Sequence, residues 1–400
     1  LTQRSFSITL SQENSIHIFN AYKGDIAMQK RYLNNHRIAL LISCIAVLFV
    51  PGSVAIFNSC KTQNTHVNAS VTDYYGFTSA SQKEALESLF KQASVIPAGS
   101  SLSTLFPPRQ STEERVNDLL TIVEKTQEKL VIRTGTQERW EVAPDQWMKE
   151  NVEQNYAHLK TLGFVDRIVP AVKESDAACI LGATRPVIAK VMSYSDTLID
   201  ENLLHPNNVV LLTGERYVSL NVDGSEEQLT SLAQKINTDH WSKLTETHLM
   251  VDEYNTSPLH DKKIATHVID TPRGDLSRPN TQTTTLELIK WLRTRPDIKH
   301  ITFVSSQPYV QYQKAQIDLI FKEQDVEVTY EVIGPQAKQS ETIKPVVEGL
   351  GAYLWAQTPA IISDLLANTS TVSAEIKERC ARFYAKTPAL YQTLPKQIRE

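Results

Sequence analysis

The sequence predicts an α/β protein, a three-layer Rossmann-like domain with a mostly parallel sheet. Two observations carry the prediction. Short apolar runs recur at 177–181, 209–212, 264–269, 301–304 and 326–333. Between them lie segments with helical spacing, and strands alternating with helices argue for a parallel sheet covered on both faces. The composition agrees: 41% hydrophobic and 22% charged residues are ordinary for a folded globular chain.

In chain order, the first informative segment is 38–50, an unbroken and mostly apolar run. Lys30, Arg31, His36 and Arg37 precede it, and Pro51, Gly52 and Ser53-Val54-Ala55 follow. A basic region, an apolar stretch and a small-residue exit describe a secretory signal peptide. Met28 stands where such a signal begins, so residues 1–27 read as an upstream extension. A signal anchor is the competing reading, because extending the run to Phe57 gives about 20 residues, enough to span a bilayer. A lipid anchor on Cys60 is a third, with a poor flanking sequence. Signal peptide and anchor both place Thr62 onward outside the cytoplasm, in the periplasm or on the outward face of a membrane.

Residues 58–112 are rich in Ser, Thr, Asn, Gln and Pro and read as a linker. One short helix is expected inside it at 81–92, where Ala85, Leu86, Leu89 and Phe90 form a stripe. A helical part spans 113–167. Its first helix starts at Thr112 and carries Val116, Leu119, Leu120 and Val123; its second covers 144–162. The α/β domain then occupies 168–366, with helices at 186–199, 226–236, 244–254, 281–293, 310–321 and 346–366. Residues 367–400 read as a C-terminal tail.

Several function classes are excluded. Lys plus Arg total 41 against 45 Asp plus Glu, which offers no electrostatic case for nucleic-acid binding. The four cysteines form no CxxC pair. No GxGxxG follows the first strand, and Ser305-Ser306 is not a GxSxG elbow. The histidines have no zinc-binding spacing; His248 reads as a surface or packing residue. No metal site and no cofactor can be named.

In open α/β sheets, ligands bind beyond the carboxyl ends of the strands. Gly182-Ala183-Thr184-Arg185-Pro186 follows the first strand: Gly182 permits close backbone approach and Arg185 supplies a positive fork. Thr213-Gly214-Glu215-Arg216 follows the second, and Ser305-Ser306-Gln307-Pro308-Tyr309 the fourth. Two helix starts are polar, at Thr245-Glu246 and at Arg278-Pro279-Asn280-Thr281. Helix starts with Asn or Thr caps present N–H groups to anions, and arginines add bidentate contacts. Glu215 and Glu246 are the plausible acid–base or metal carboxylates, and Glu246 is taken as the catalytic candidate. The candidate ligand-binding residues are Gly182, Arg185, Gly214, Glu215, Asn280, Thr281, Ser305 and Gln307. Each also has a plainer role: a tight turn at Gly182, an exposed turn at Glu215, a helix cap at Asn280, an ion pair at Arg185.

The ordered set Leu181-Gly182-Ala183, Leu211-Leu212-Thr213-Gly214, Thr245-Glu246, Pro279-Asn280-Thr281-x-x-Thr284 and Phe303-Val304-Ser305-Ser306 resembles the bacterial family called domain of unknown function 218, the SanA/YdcF-type envelope proteins. The resemblance spans 168–335. It implies a Rossmann-like domain behind an N-terminal membrane segment, with links to peptidoglycan, lipid carriers or nucleotide-type ligands such as S-adenosylmethionine. Many members carry a His and an Arg after the Val-x-Ser strand; here Gln307, Pro308, Tyr309 and Gln311 stand there.

The resulting expectation is an exported, envelope-associated protein that binds a small anionic, phosphate-bearing ligand, such as a cell-wall or lipid-carrier precursor. If it is an enzyme, Glu246 acts as general base or cation ligand. The alternative is a non-catalytic envelope scaffold or sensor working through protein partners.

Overall fold

The computed structural model of the chain describes residues 6–10, 16–20, 69–131, 137–276, 278–340, 342–367, 369 and 371–385. The apolar run at 38–50, its basic flank and Cys60 lie outside the described residues. Among the described residues, no helix is long and apolar enough to cross a membrane.

Seven strands form one sheet: β1 (Phe6–Leu10), β2 (Ile16–Asn20), β3 (Ala177–Leu181), β4 (Asn208–Gly214), β5 (Ala265–Thr271), β6 (His300–Val304) and β7 (Thr329–Ile333). Their order is β2-β1-β5-β4-β3-β6-β7. The five strands from β5 to β7 are all parallel. The β1–β2 hairpin pairs antiparallel along β5, with Ile8 opposite Val268. Register is set on the central strand, where Cys179 stands between Val210 and Phe303. After β5 the chain crosses back over β4 and β3 to lay β6 beside β3. Strand order reverses between β3 and β6, so the loops leaving those strands diverge and open a crevice.

The helices are α1 (Ala80–Gln92), α2 (Thr112–Leu130), α3 (Val152–Thr161), α4 (Arg185–Asp200), α5 (Glu226–Lys235), α6 (Glu246–Thr256), α7 (Thr281–Leu292), α8 (Val310–Glu323), α9 (Lys344–Leu366) and α10 (Ala374–Ala385). Successive strand residues face opposite sides of the sheet. Ile180, Leu211 and Val268 face α4, α5 and α6, packing with Ile188, Leu229 and Leu249. Cys179, Val210 and Phe303 face α7 and α8, packing with Leu288 and Ile317. This is the expected three-layer sandwich. Local signals start its helices: the Ser225 side chain accepts from the Gln228 N–H at 3.2 Å, and Pro186 stands in the first turn of α4.

A third apolar cluster joins α1, α2, α3, α9 and α10 beside α8. Gln127 on α2 donates to the Gly351 carbonyl on α9 at 2.9 Å. Residues 69–106, expected as linker, are folded into this cluster. Tyr75, Phe77, Val95, Ile96 and Phe106 are buried, and the Tyr75 hydroxyl meets that of Thr358 at 2.8 Å. Their apolar residues come in ones and twos among Ser and Thr, so composition hides them. The expected tail also contributes α10, whose Ile376, Cys380 and Phe383 are buried. The helix expected at 144–162 divides. Asn151 has a φ of 49°, a left-handed conformation that no helix interior accepts, so α3 begins after it.

Candidate functional site

A cavity of about 580 Å³ opens at the carboxyl edge of the sheet. Its floor is the end of β3 and β4, with Leu181, Gly182, Leu212 and Gly214. One wall is the loop before α7 and its first turn. The opposite wall comes from the helical layer: the segment 138–144 and the start of α9. The cavity therefore sits against the strand-order reversal, with a roof that the sheet alone does not supply.

Glu246, the first residue of α6, lines this cavity and is 9% exposed. Its Oε2 accepts from Arg216 Nε at 3.0 Å. Its carboxyl group packs directly over Gly182, where a β-carbon would stand 2.8 Å from Cδ. Burial raises the Glu246 carboxyl above its ordinary value; Arg216 and Arg278 oppose that rise, and the charge of Asp223 adds to it. Arg216 is itself fully engaged. It donates to Asp223 Oδ2 at 2.8 Å, to Asp223 Oδ1 at 3.1 Å and to the Ala183 carbonyl at 3.0 Å. Asp223, fully buried, also accepts from the backbone N–H groups of Ser219 and Arg185. Burial favours the neutral form of Asp223, but the hydrogen bonds and charge of Arg216 outweigh it and hold the carboxyl below the usual range.

Asn280 and Thr281 line the wall formed by the start of α7. Asn280 caps α7, accepting from the Thr283 N–H at 3.1 Å. Gly214 lets that wall close on the strand, since a β-carbon there would stand 2.7 Å from Pro279 Cγ. Arg278 reaches across the cavity to Glu138, with Nη1 3.1 Å from Oε2.

Compared with known proteins, the chain matches no family model and no curated protein.

Gly182, Gly214, Glu246, Asn280 and Thr281 are brought together as expected from the sequence. Four other candidates are not among the lining residues. Arg185 points along the surface of α6, donating to Glu253 at 2.5 Å and Asp252 at 2.7 Å, so its charge is consumed by an ion pair. Its backbone N–H is taken by Asp223, which closes the α4 start to an external anion. Glu215 is exposed and accepts from the Arg273 N–H at 2.9 Å. Ser305 is buried, and its hydroxyl donates to Gln313. Gln307 turns the other way and donates to the carbonyls of Gly163 and Asp166, at 3.2 and 3.1 Å. It fastens the sheet edge to the helical layer. His248 is a capping residue, its Nδ1 accepting from the Thr245 N–H at 2.9 Å.

The wall from the helical layer escaped sequence reasoning. Arg139 stacks over the ring of Tyr309, 3.9 Å from its centroid, and its Nε lies 3.6 Å from Glu348 Oε2. Lys344 Nζ donates to the carbonyls of Arg139 and Val142, which pins the 138–144 segment to α9. Trp140 stands on this segment, lines the cavity and is 40% exposed. Lys344 and Glu348, charged residues one turn apart at the start of a mostly apolar helix, were the available signal; Glu348 is 2% exposed. Among the described residues, no group of three or more His, Cys, Asp or Glu is placed to hold a metal ion.

Proposed function

We propose that the chain binds a small ligand bearing a phosphate or similar anionic group in the cavity at the carboxyl edge of β3 and β4. One juxtaposition carries the reading: Arg278 and the capped start of α7 stand on one wall, and the buried Glu246 stands on the floor. Helix starts and arginines suit anions. A carboxyl group whose proton affinity burial has raised suits proton transfer to or from an oxygen beside that anion. The enzymatic form of the proposal is hydrolysis or transfer of a phosphate group, with Glu246 as acid–base group. The resemblance to domain of unknown function 218 supports the same place in the fold. The sequence of residues 30–57 is the basis for the other half of the proposal, that the pocket works outside the cytoplasm; β1 and β2, which precede that segment, would then be cleaved away or left across the membrane from the other five strands.

The test is a thermal-shift panel on the purified chain with pyrophosphate, isoprenoid phosphates and nucleotides. A ligand bound by the native state alone raises the melting temperature. The reading expects a shift that disappears in Arg278→Ala. A shift that survives in Arg278→Ala would place the ligand elsewhere, and no shift with any phosphate compound would favour the scaffold reading.

A further inference from the structure

The cations that line the cavity are not equally committed. Arg216 is saturated by Asp223, Glu246 and a carbonyl. Lys344 is held by two carbonyls of the 138–144 segment. Arg139 lies on Tyr309. Arg278 is different: its side chain is 39% exposed, and its carboxylate partner, Glu138, comes from the opposite wall of the cavity.

The contact has the form of a replaceable one. Glu138 Oε2 is shut off from solvent and accepts no hydrogen bond among the described residues, so its contact with Arg278 at 3.1 Å is charge against charge. Oε2 itself is covered, but the two side chains keep 39% and 23% of their surface in solvent, so the pair is one that can exchange. Arg278 and Glu246 line the same cavity, so an anion seated on Arg278 would share it with the carboxyl proposed to move a proton.

Resting on the anion-binding reading above, we infer that Glu138 is an internal competitor: its carboxylate occupies the seat of the ligand's anionic group on Arg278 and must leave when the ligand binds. Exchange of one carboxylate for a phosphate keeps the arginine paired in both states. It also makes the seat's position definite, on the Glu138-facing side of Arg278. Displacement would shift the short 3₁₀ turn Arg139–Glu141, which Glu138 caps and which carries Trp140.

The experiment is calorimetric titration of the full chain with pyrophosphate, in wild type, Glu138→Gln, Arg278→Ala and the double variant, with circular dichroism to verify folding. The inference expects Glu138→Gln to bind roughly two- to fivefold more tightly than wild type, the gain from removing one part-exposed ion pair. It expects no binding in either variant lacking Arg278. Binding by Glu138→Gln alone would support the same conclusion. Equal or weaker binding by Glu138→Gln, with wild-type binding still dependent on Arg278, would overturn the inference and leave the anion-binding reading standing. Absence of binding in both wild type and Glu138→Gln, or wild-type binding that survives Arg278→Ala, would overturn that reading and the inference with it. A second readout uses the wild-type chain. Pyrophosphate should change the tryptophan emission, and the change should be absent in Trp140→Phe. Binding through Arg278 that leaves Trp140 emission unchanged would mean the segment had not moved, against the inference.

Discussion

The carboxyl group of Glu246 occupies the space that a side chain on residue 182 would need. A β-carbon on Gly182 would lie 2.8 Å from Glu246 Cδ and 3.2 Å from the Leu212 carbonyl. Glu246 is tethered by Arg216, so it cannot swing clear without breaking that pair. Gly182→Ala is expected to cost about 1–3 kcal/mol, the usual penalty of overpacking. In a Glu246→Ala background most of that cost should vanish. A double-mutant cycle by urea unfolding measures it. An equal cost in both backgrounds would trace the glycine to Leu212 instead.

Of the two arginines that the sequence offers as anion contacts, Arg278 should carry the affinity and Arg185 only stability. Arg185→Ala removes an ion pair on α6 and should lower stability by roughly 1 kcal/mol while leaving pyrophosphate affinity unchanged. Arg278→Ala should do the reverse. Melting curves and titration calorimetry on the two variants decide between them.

Removing Asp223 is expected to be far more damaging. Its carboxylate neutralises the buried Arg216 and accepts the first N–H of α4. Asp223→Ala leaves a buried guanidinium with one carboxylate, and the cost should be about 3–5 kcal/mol. Chemical denaturation would show it, and a loss below about 1 kcal/mol would mean that Glu246 alone suffices to balance the arginine.

Asp270 gives the fold a definite acid response. It sits at the end of β5 and accepts from the Thr247 hydroxyl at 2.6 Å. Burial pushes its carboxyl up to about 6, against the opposing effect of that hydrogen bond; the charge of Glu215 adds to the rise. Unfolded, the group titrates near its ordinary 3.8. Between these values the native state keeps a proton that the unfolded chain has released, so this group's contribution to stability falls as pH rises. It is complete below about 4 and gone above about 6. Asp270→Asn should abolish that slope. The difference between wild-type and variant unfolding free energies across pH 4–7 is the measurement, and parallel curves would refute it.

The α/β half was legible because its strands are continuous apolar runs, which carry their own signal: residues 177–181 were read with the bounds that β3 has. The site was legible where chemistry follows directly from a strand end, as at Gly182 and Gly214, or from a capping residue, as at Asn280. It was misread where a side chain's direction decides. Arg185 and Gln307 leave the same sheet edge as Gly182, yet each turns to a partner that no local pattern names. The helical wall was not legible at all, because Arg139 and Lys344 meet through tertiary packing between segments far apart in sequence.

The pairing of α2 with α9 has a consequence for the order of events in synthesis. Gln127 and its acceptor Gly351 are 224 residues apart in the chain. At roughly 5–20 residues per second, α2 leaves the ribosome on the order of ten seconds or more before its partner exists. Through that interval Leu119, Leu120 and Val123 have no α9 to cover them, and the whole parallel sheet is made while they wait. A chain built this way leaves part of its helical core open until α9 follows, and its pocket cannot be completed until one of the last helices arrives.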